Sequence, residues 1–253
     1  MRSTIIKKLE ELELEHNTRI LYACESGSRA WGFASPDSDY DVRFIYARKT
    51  EDYLSIANVR DVLELPINEV LDISGWDVRK ALQLFLKSNA PLYEWLQSPI
   101  IYREDKNFKE ELMSLASKYF SLKAGANHYL SMAVNIINTL GNDLGEEQVK
   151  LKKYFYALRP ALACLWIITK REVPPMEFEK LRALVADNVL QTGIDELLQL
   201  KQVSGEKTFI EPKTDLYEWL QEITEKCKRQ VALLPSERYA TDELDGLFRK
   251  HIR

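Results

Sequence analysis

Two acids separated by one residue, Asp39 and Asp41, stand at the head of an apolar run through Val42, Phe44 and Tyr46. Residues two apart in an extended strand point to the same side. Asp39 and Asp41 are therefore expected to share one face, with Tyr40, Val42, Phe44 and Tyr46 turned to a core on the other. Neighbouring carboxylates repel unless a cation lies between them. Magnesium is a suitable cation, since it takes one or two carboxylates, water and substrate phosphates as ligands. Two such ions can activate an attacking oxygen and stabilise a leaving one in phosphoryl-type displacement. Upstream, Gly27 and Ser28 follow a predicted strand at 18–24. Glycine lets backbone N–H groups approach an anion closely. Ser28 adds a hydroxyl, and Arg29 a guanidinium that can fork onto phosphate oxygens. Arg43 lies on the face of the acids, where it can meet phosphates or neutralise the carboxylates. In this order the segment suits a nucleoside triphosphate held with divalent metal ions.

Each piece also has a plainer use. Ser35-Pro36-Asp37-Ser38 is a turn signal, and a lone Asp-x-Asp is commonly solvated. The combination is more specific. It resembles the signature of the polymerase-beta-like nucleotidyltransferase superfamily: Gly-Ser, a spacer, then two acids alternating with apolar residues. More narrowly, Gly27-Ser28-Arg29-Ala30-Trp31-Gly32, Pro36-Asp37-Ser38-Asp39-Tyr40-Asp41-Val42-Arg43 and Gly75-Trp76-Asp77 resemble a bacterial group of predicted nucleotidyltransferases linked by name to an RNA-repair pathway. Lys87-Ser88-Asn89, Glu94-Trp95-Leu96, Ser98-Pro99 and the stretch 154–160 extend the likeness over most of the chain.

The resemblance implies a nucleotidyltransferase that uses a nucleoside triphosphate such as ATP and two Mg2+ ions, with Mn2+ as a substitute. Gly27 and Ser28 would cradle the β and γ phosphates, and Asp39 and Asp41 would hold the metals. Superfamily members usually add a third carboxylate from a neighbouring strand. Leu71 and Ile73 alternate with Val70, Asp72 and Ser74, so Asp72 is expected to share the acidic face, hold a metal and help take the proton from the attacking hydroxyl. Asp77 is the alternative. It precedes Val78, Ala81, Leu82, Phe85 and Leu86 at helical spacing, which also makes it a natural N-cap. Glu64 and Glu69 are further acids in the same stretch. The acceptor implied is an RNA end. A protein hydroxyl and an aminoglycoside-like small molecule are alternatives, as is a non-catalytic module that only binds nucleotide or RNA.

A second cluster lies in 150–160, where Lys152, Tyr156 and Arg159 fall near one helical face, as do Lys153 and Tyr156 at three-residue spacing; the resemblance takes in Lys153, Tyr156 and Arg159 as substrate contacts. Cations there could neutralise a triphosphate or contact a polynucleotide backbone, and the tyrosine could stack on a base. The alternative is an amphipathic helix with a solvated basic edge and half-buried tyrosines.

The chain has 253 residues, 45% of them hydrophobic, enough for one or two domains with a real core. A net charge of −4 makes the whole molecule no magnet for nucleic acid, although a local basic track could still bind one. Cys24, Cys164 and Cys227 are far apart, odd in number and without a Cys-x-x-Cys pattern. They read as reduced core thiols of a cytoplasmic protein. Three histidines without ligand spacing give little support to a histidine metal site. No signal-peptide pattern is evident. The apolar run 161–168 is too short to span a bilayer, so no membrane partner is expected.

These residues need elements to position them. Helix is expected at 4–16, then strand, phosphate loop and three further strands, and helix again to about 86. From 106 onward the periodicity is helical, with helices near 106–119, 123–140, 146–171, 176–187, 194–203, 213–232 and 241–250. Pro174-Pro175 is expected to end the third of these. The fold class is α+β. A polymerase-beta-like catalytic domain over 1–104, a mixed sheet with helices on one side, precedes an all-α substrate-binding domain over 105–253. Nothing in the sequence declares an oligomeric state.

Overall fold

The computed structural model describes residues 1–57, 59–66 and 70–252. The chain opens with α1 (Arg2–His16), β1 (Arg19–Glu25), the single turn α2 (Gly27–Trp31) and β2 (Tyr40–Ala47). It continues with α3 (Thr50–Leu54), β3 (Val62–Glu64), β4 (Leu71–Asp77), α4 (Val78–Leu86), α5 (Ala90–Trp95), β5 (Ile101–Glu104), α6 (Lys106–Ser114) and α7 (Ala116–Tyr119). Then follow α8 (Leu122–Asp143), β6 (Val149–Lys150), α9 (Leu151–Lys170), α10 (Phe178–Arg182), α11 (Asn188–Val203), β7 (Phe209–Ile210), α12 (Thr214–Ala232) and α13 (Asp242–His251).

Five strands form one mixed sheet in the order β3-β4-β2-β1-β5. Only β2 and β4 run parallel, and the crossover between them carries α3 and β3. The period-two pattern decides the faces. Val42, Phe44 and Tyr46 of β2 join Leu71 and Ile73 of β4 and Ile5, Leu9 and Leu12 of α1 in one buried cluster. Gly75 is part of that fit, since a methyl there would come within 2.3 Å of the Phe44 ring. The opposite face of the sheet also meets a helix: Trp76 of β4 stacks on Trp95 of α5 at 3.9 Å between centroids.

Two compact units result. One holds Met1–Ala30, Asp39–Tyr119 and the residues from 238 on; the other holds Trp31–Ser38 and Phe120–Glu237. The units thus depart from a division at 104/105, because α6, α7 and α13 group with the sheet and the Trp31–Ser38 segment groups with the helices. In the sheet unit, α13 packs on α4 and α6. In the helical unit, α8, α9 and α12 pack on one another.

Some boundaries differ from the sequence expectation. The expected phosphate loop is a helical turn at α2, entered through Gly27 at φ 60°. The helix expected at 146–171 starts at Leu151, because Val149–Lys150 pairs with Phe209–Ile210. It stops at Arg171 in the left-handed conformation (φ 60°), ahead of the two prolines. Asp187 accepts from Val189 N–H and Leu190 N–H and so starts α11 earlier than hydrophobic spacing suggests.

Candidate active site

Parallel pairing places Asp41 opposite Asp72 and Arg43 opposite Ser74. All four side chains belong to the face turned away from the α1 cluster. Arg43 bridges the two acids: its Nη2 donates to Asp41 Oδ1 at 3.2 Å and to Asp72 Oδ2 at 2.7 Å. Its Nη1 donates to the backbone oxygens of Val42 (3.0 Å) and Asp72 (3.2 Å). Asp39 lies just ahead of β2, exposed, and its charge is felt at Asp41. The Asp41 carboxyl is pushed above its usual range, first by burial and then by the charges of Asp72 and Asp39, with Arg43 opposing.

The Gly-Ser turn serves this carboxylate directly. A Cβ at Gly27 would lie 2.0 Å from Asp41 Oδ2, so the residue is glycine because Asp41 occupies that space. Ser26 N–H donates to Asp41 O at 2.7 Å, tying the turn to β2. Ser28 is buried in α2. Arg29 Nε donates to Asp39 O at 3.1 Å, and its guanidinium lies 3.9 Å over the Tyr40 ring. Gly27, Asp39, Asp41, Asp72, Arg29 and Arg43 are thus brought together at one end of the sheet.

Glu25 is the residue that sequence reasoning missed. It is fully buried at the end of β1. Its Oε1 accepts from Asp41 N–H at 2.8 Å, and its Oε2 accepts from Tyr102 O–H. Ser98 Oγ donates to Glu25 O at 2.6 Å. Burial raises the Glu25 carboxyl, the two hydrogen bonds oppose this, and the Asp41 charge adds to it. An acid in the otherwise apolar strand 20–25 was the available signal, but its partners lie far along the chain.

The structure separates the two rival third acids. Asp72 faces Asp41 across the parallel pair, whereas Asp77 caps α4. Asp77 Oδ1 accepts from Arg79 N–H at 2.8 Å and Oδ2 from Tyr53 O–H at 2.9 Å. It is buried, and burial pushes its carboxyl upward despite these bonds. Glu64 ends β3, exposed, and pairs with Arg60 at 2.6 Å. Glu69 lies outside the described residues.

The donor set suits a hard divalent cation, being carboxylate oxygens in a mutually repelling group that already holds a guanidinium as stand-in cation. Among the described residues, no three His, Cys, Asp or Glu side chains stand together as a ready metal site. Asp41 and Asp72 are the facing pair of this set, and the charge of Asp39 reaches Asp41.

In the helical unit, the three predicted α9 contacts divide. Arg159 is buried, with its guanidinium 4.3 Å over the Trp31 ring and an Nη2 donor 3.5 Å from Met176 O. Tyr156, partly exposed, meets Trp31 edge-on at 6.2 Å. Lys153 forms an ion pair with Asp143 instead. Phe33 stacks on Phe155 at 4.9 Å beside this group. The buried Lys201 donates to Ser35 Oγ at 2.7 Å and pairs with Glu206 at 2.8 Å, and Ser38 Oγ donates to Glu206 at 2.6 Å. These bonds hold the 33–38 loop on the helices.

Residues 1–250 match the model of a family described as RlaP, the RNA repair pathway DNA polymerase beta family. The chain belongs to this family. It is 44% identical over 250 residues to a Bacillus subtilis (strain 168) protein named uncharacterized protein YcgL, covering 98% of this chain and 95% of that one. A solved nucleotidyltransferase-like protein from Exiguobacterium sibiricum 255-15 aligns at a TM-score of 0.30 and 10% identity, over 97% of this chain and 75% of that one. Membership of the RNA repair pathway DNA polymerase beta family does not rest on that alignment. No helix among the described residues is long and apolar enough to cross a membrane.

Proposed function

We propose that the chain is a metal-dependent nucleotidyltransferase that moves a nucleoside monophosphate from a triphosphate to an RNA hydroxyl and releases pyrophosphate. One observation carries this reading: Asp41 and Asp72 meet in register on neighbouring strands, behind a glycine whose missing side chain leaves room for the Asp41 carboxylate. Such a pair calls for a cation between its members, a place that Arg43 fills here. Family membership and its RNA-repair description support the reaction and the RNA acceptor.

The roles follow from position. Asp39, Asp41 and Asp72 would hold Mg2+ or Mn2+, which when bound neutralises the phosphates and lowers the pKa of the attacking hydroxyl. Asp72, in register with Asp41 on the neighbouring strand, would accept the proton of the attacking hydroxyl. Gly27 and Ser28 border the phosphates, and Arg29 and Arg43 supply guanidinium donors to phosphate oxygens. Glu25 holds Asp41 in place through its backbone N–H.

The test is steady-state transfer by Asp41→Ala and Asp72→Ala beside Asp77→Asn, with folding checked by circular dichroism. The first two should lose about a hundredfold or more in kcat, the scale set by removing one main electrostatic element of a site. Asp77→Asn should keep its rate. Wild-type rates in Asp41→Ala and Asp72→Ala would contradict the assignment.

A further inference from the structure

The guanidinium of Arg43 lies where a divalent ion shared by Asp41 and Asp72 would have to lie. Its Nη2 contacts one oxygen of each carboxylate, at 3.2 and 2.7 Å. Two backbone oxygens, of Val42 and Asp72, hold Nη1. The side chain is only 19% exposed, so it is packed into this position rather than waving over it.

We propose that Arg43 is a resident counter-ion that a divalent metal must displace, so that this site takes up metal together with triphosphate rather than alone. The proposal rests on the nucleotidyltransferase reading above and adds an order of loading to it. Arginine keeps its charge at any working pH and forks well onto carboxylates. A magnesium ion about 2.1 Å from the same two oxygens would sit in close repulsive contact with that charge. The metal alone therefore competes with an intramolecular partner that is always present. A triphosphate changes the balance, because its oxygens offer the guanidinium an alternative set of charged acceptors. Arg43 then moves from the acids to the phosphates as the metal enters. Binding of the two ligands is linked, and each raises the affinity of the other by the same factor.

The experiment uses Mn2+ as the probe, read by the loss of the free-ion electron paramagnetic resonance signal. Full-length wild type, Arg43→Gln, Arg43→Lys and Asp41→Asn are titrated with and without a non-hydrolysable triphosphate analogue, and a thermal melt confirms that each is folded. Arg43→Gln should bind Mn2+ roughly tenfold tighter than wild type without the analogue, the equivalent of about 1.4 kcal/mol of lost competition. The analogue should tighten Mn2+ binding much more in wild type than in Arg43→Gln. Arg43→Lys, with the charge but not the fork, should fall between them and serves if the Gln variant does not fold. Equal or weaker Mn2+ binding by both Arg43 variants would overturn the proposal. Mn2+ binding untouched by Asp41→Asn would remove the metal from these acids and overturn the metal site along with it. The expected Mn2+ pattern in a protein that transfers no nucleotide would sink the catalytic reading and leave the role of Arg43 standing.

Discussion

A methyl group at position 27 would sit 2.0 Å from Asp41 Oδ2, on a backbone whose φ of 60° already disfavours any side chain. Gly27→Ala must therefore move the carboxylate or the turn. It should destabilise the protein by about 1–3 kcal/mol, read by denaturant melts, and reduce transfer further than stability alone explains. Asp41 itself is held at a cost. Burial raises its carboxyl above the ordinary 3.8, with Asp72 and Asp39 adding and Arg43 opposing. The folded protein then binds that proton more tightly than the unfolded chain. The Asp41 contribution to stability is fullest below 3.8 and is lost as pH rises through the raised folded value. Glu25 and Asp77 carry shifts of the same sign. Asp41→Asn removes the titrating charge, so its melting temperature should exceed the wild type's at pH 8 and the gain should shrink toward pH 4. A variant less stable than wild type at pH 8 contradicts this sign. Glu25 shows why part of the site was hidden in the sequence. Its role depends on Tyr102, 77 residues away, and on a backbone N–H that no side-chain pattern reports.

Among the elements, β2 was the most legible, because strict alternation separates Asp41 and Arg43 from Val42, Phe44 and Tyr46 within a few residues. The choice between Asp72 and Asp77 was not legible to the same degree. Both acids lie on one strand, and only the parallel register with β2 puts Asp72 beside Asp41 while Asp77 starts α4. That difference makes a prediction about a helix rather than a site. Asp77→Ala removes the cap and leaves Tyr53 without its acceptor, which should cost about 1–2 kcal/mol in a denaturant melt. Transfer measured well below the melt should stay near wild type. A specific loss of transfer in a fully folded Asp77→Ala protein would favour Asp77 over Asp72 as the proposed third acid. The helices were legible as a series from their periodicity, but their ends were not. Arg171 ends α9 through its left-handed backbone, and the β6–β7 pair delays its start; both are properties of packing rather than of local composition.

At the level of the whole molecule, the chain does not divide once along its length. The Trp31–Ser38 segment, between Gly27 and Asp39 in sequence, belongs with the helices through Phe33 on Phe155 and Lys201 on Ser35. Those partners lie more than a hundred residues onward, so the sequence alone could not assign the segment. Ligand binding should be read in stability as well as in transfer. A triphosphate with Mg2+ at about a hundred times its dissociation constant should add about 2.7 kcal/mol to wild-type stability. Asp39→Ala/Asp41→Ala should gain far less in the same thermal-shift measurement. The most direct test follows the nucleotide itself. Each α-labelled nucleoside triphosphate is offered with Mg2+ to short RNAs, total cell protein and the enzyme alone, with Asp39→Ala/Asp41→Ala as control. Label should appear on RNA with the wild type and be lost with the double variant; transfer that persists at the wild-type rate in the double variant, or tight nucleotide binding with no label moved to any acceptor, would contradict the catalytic reading.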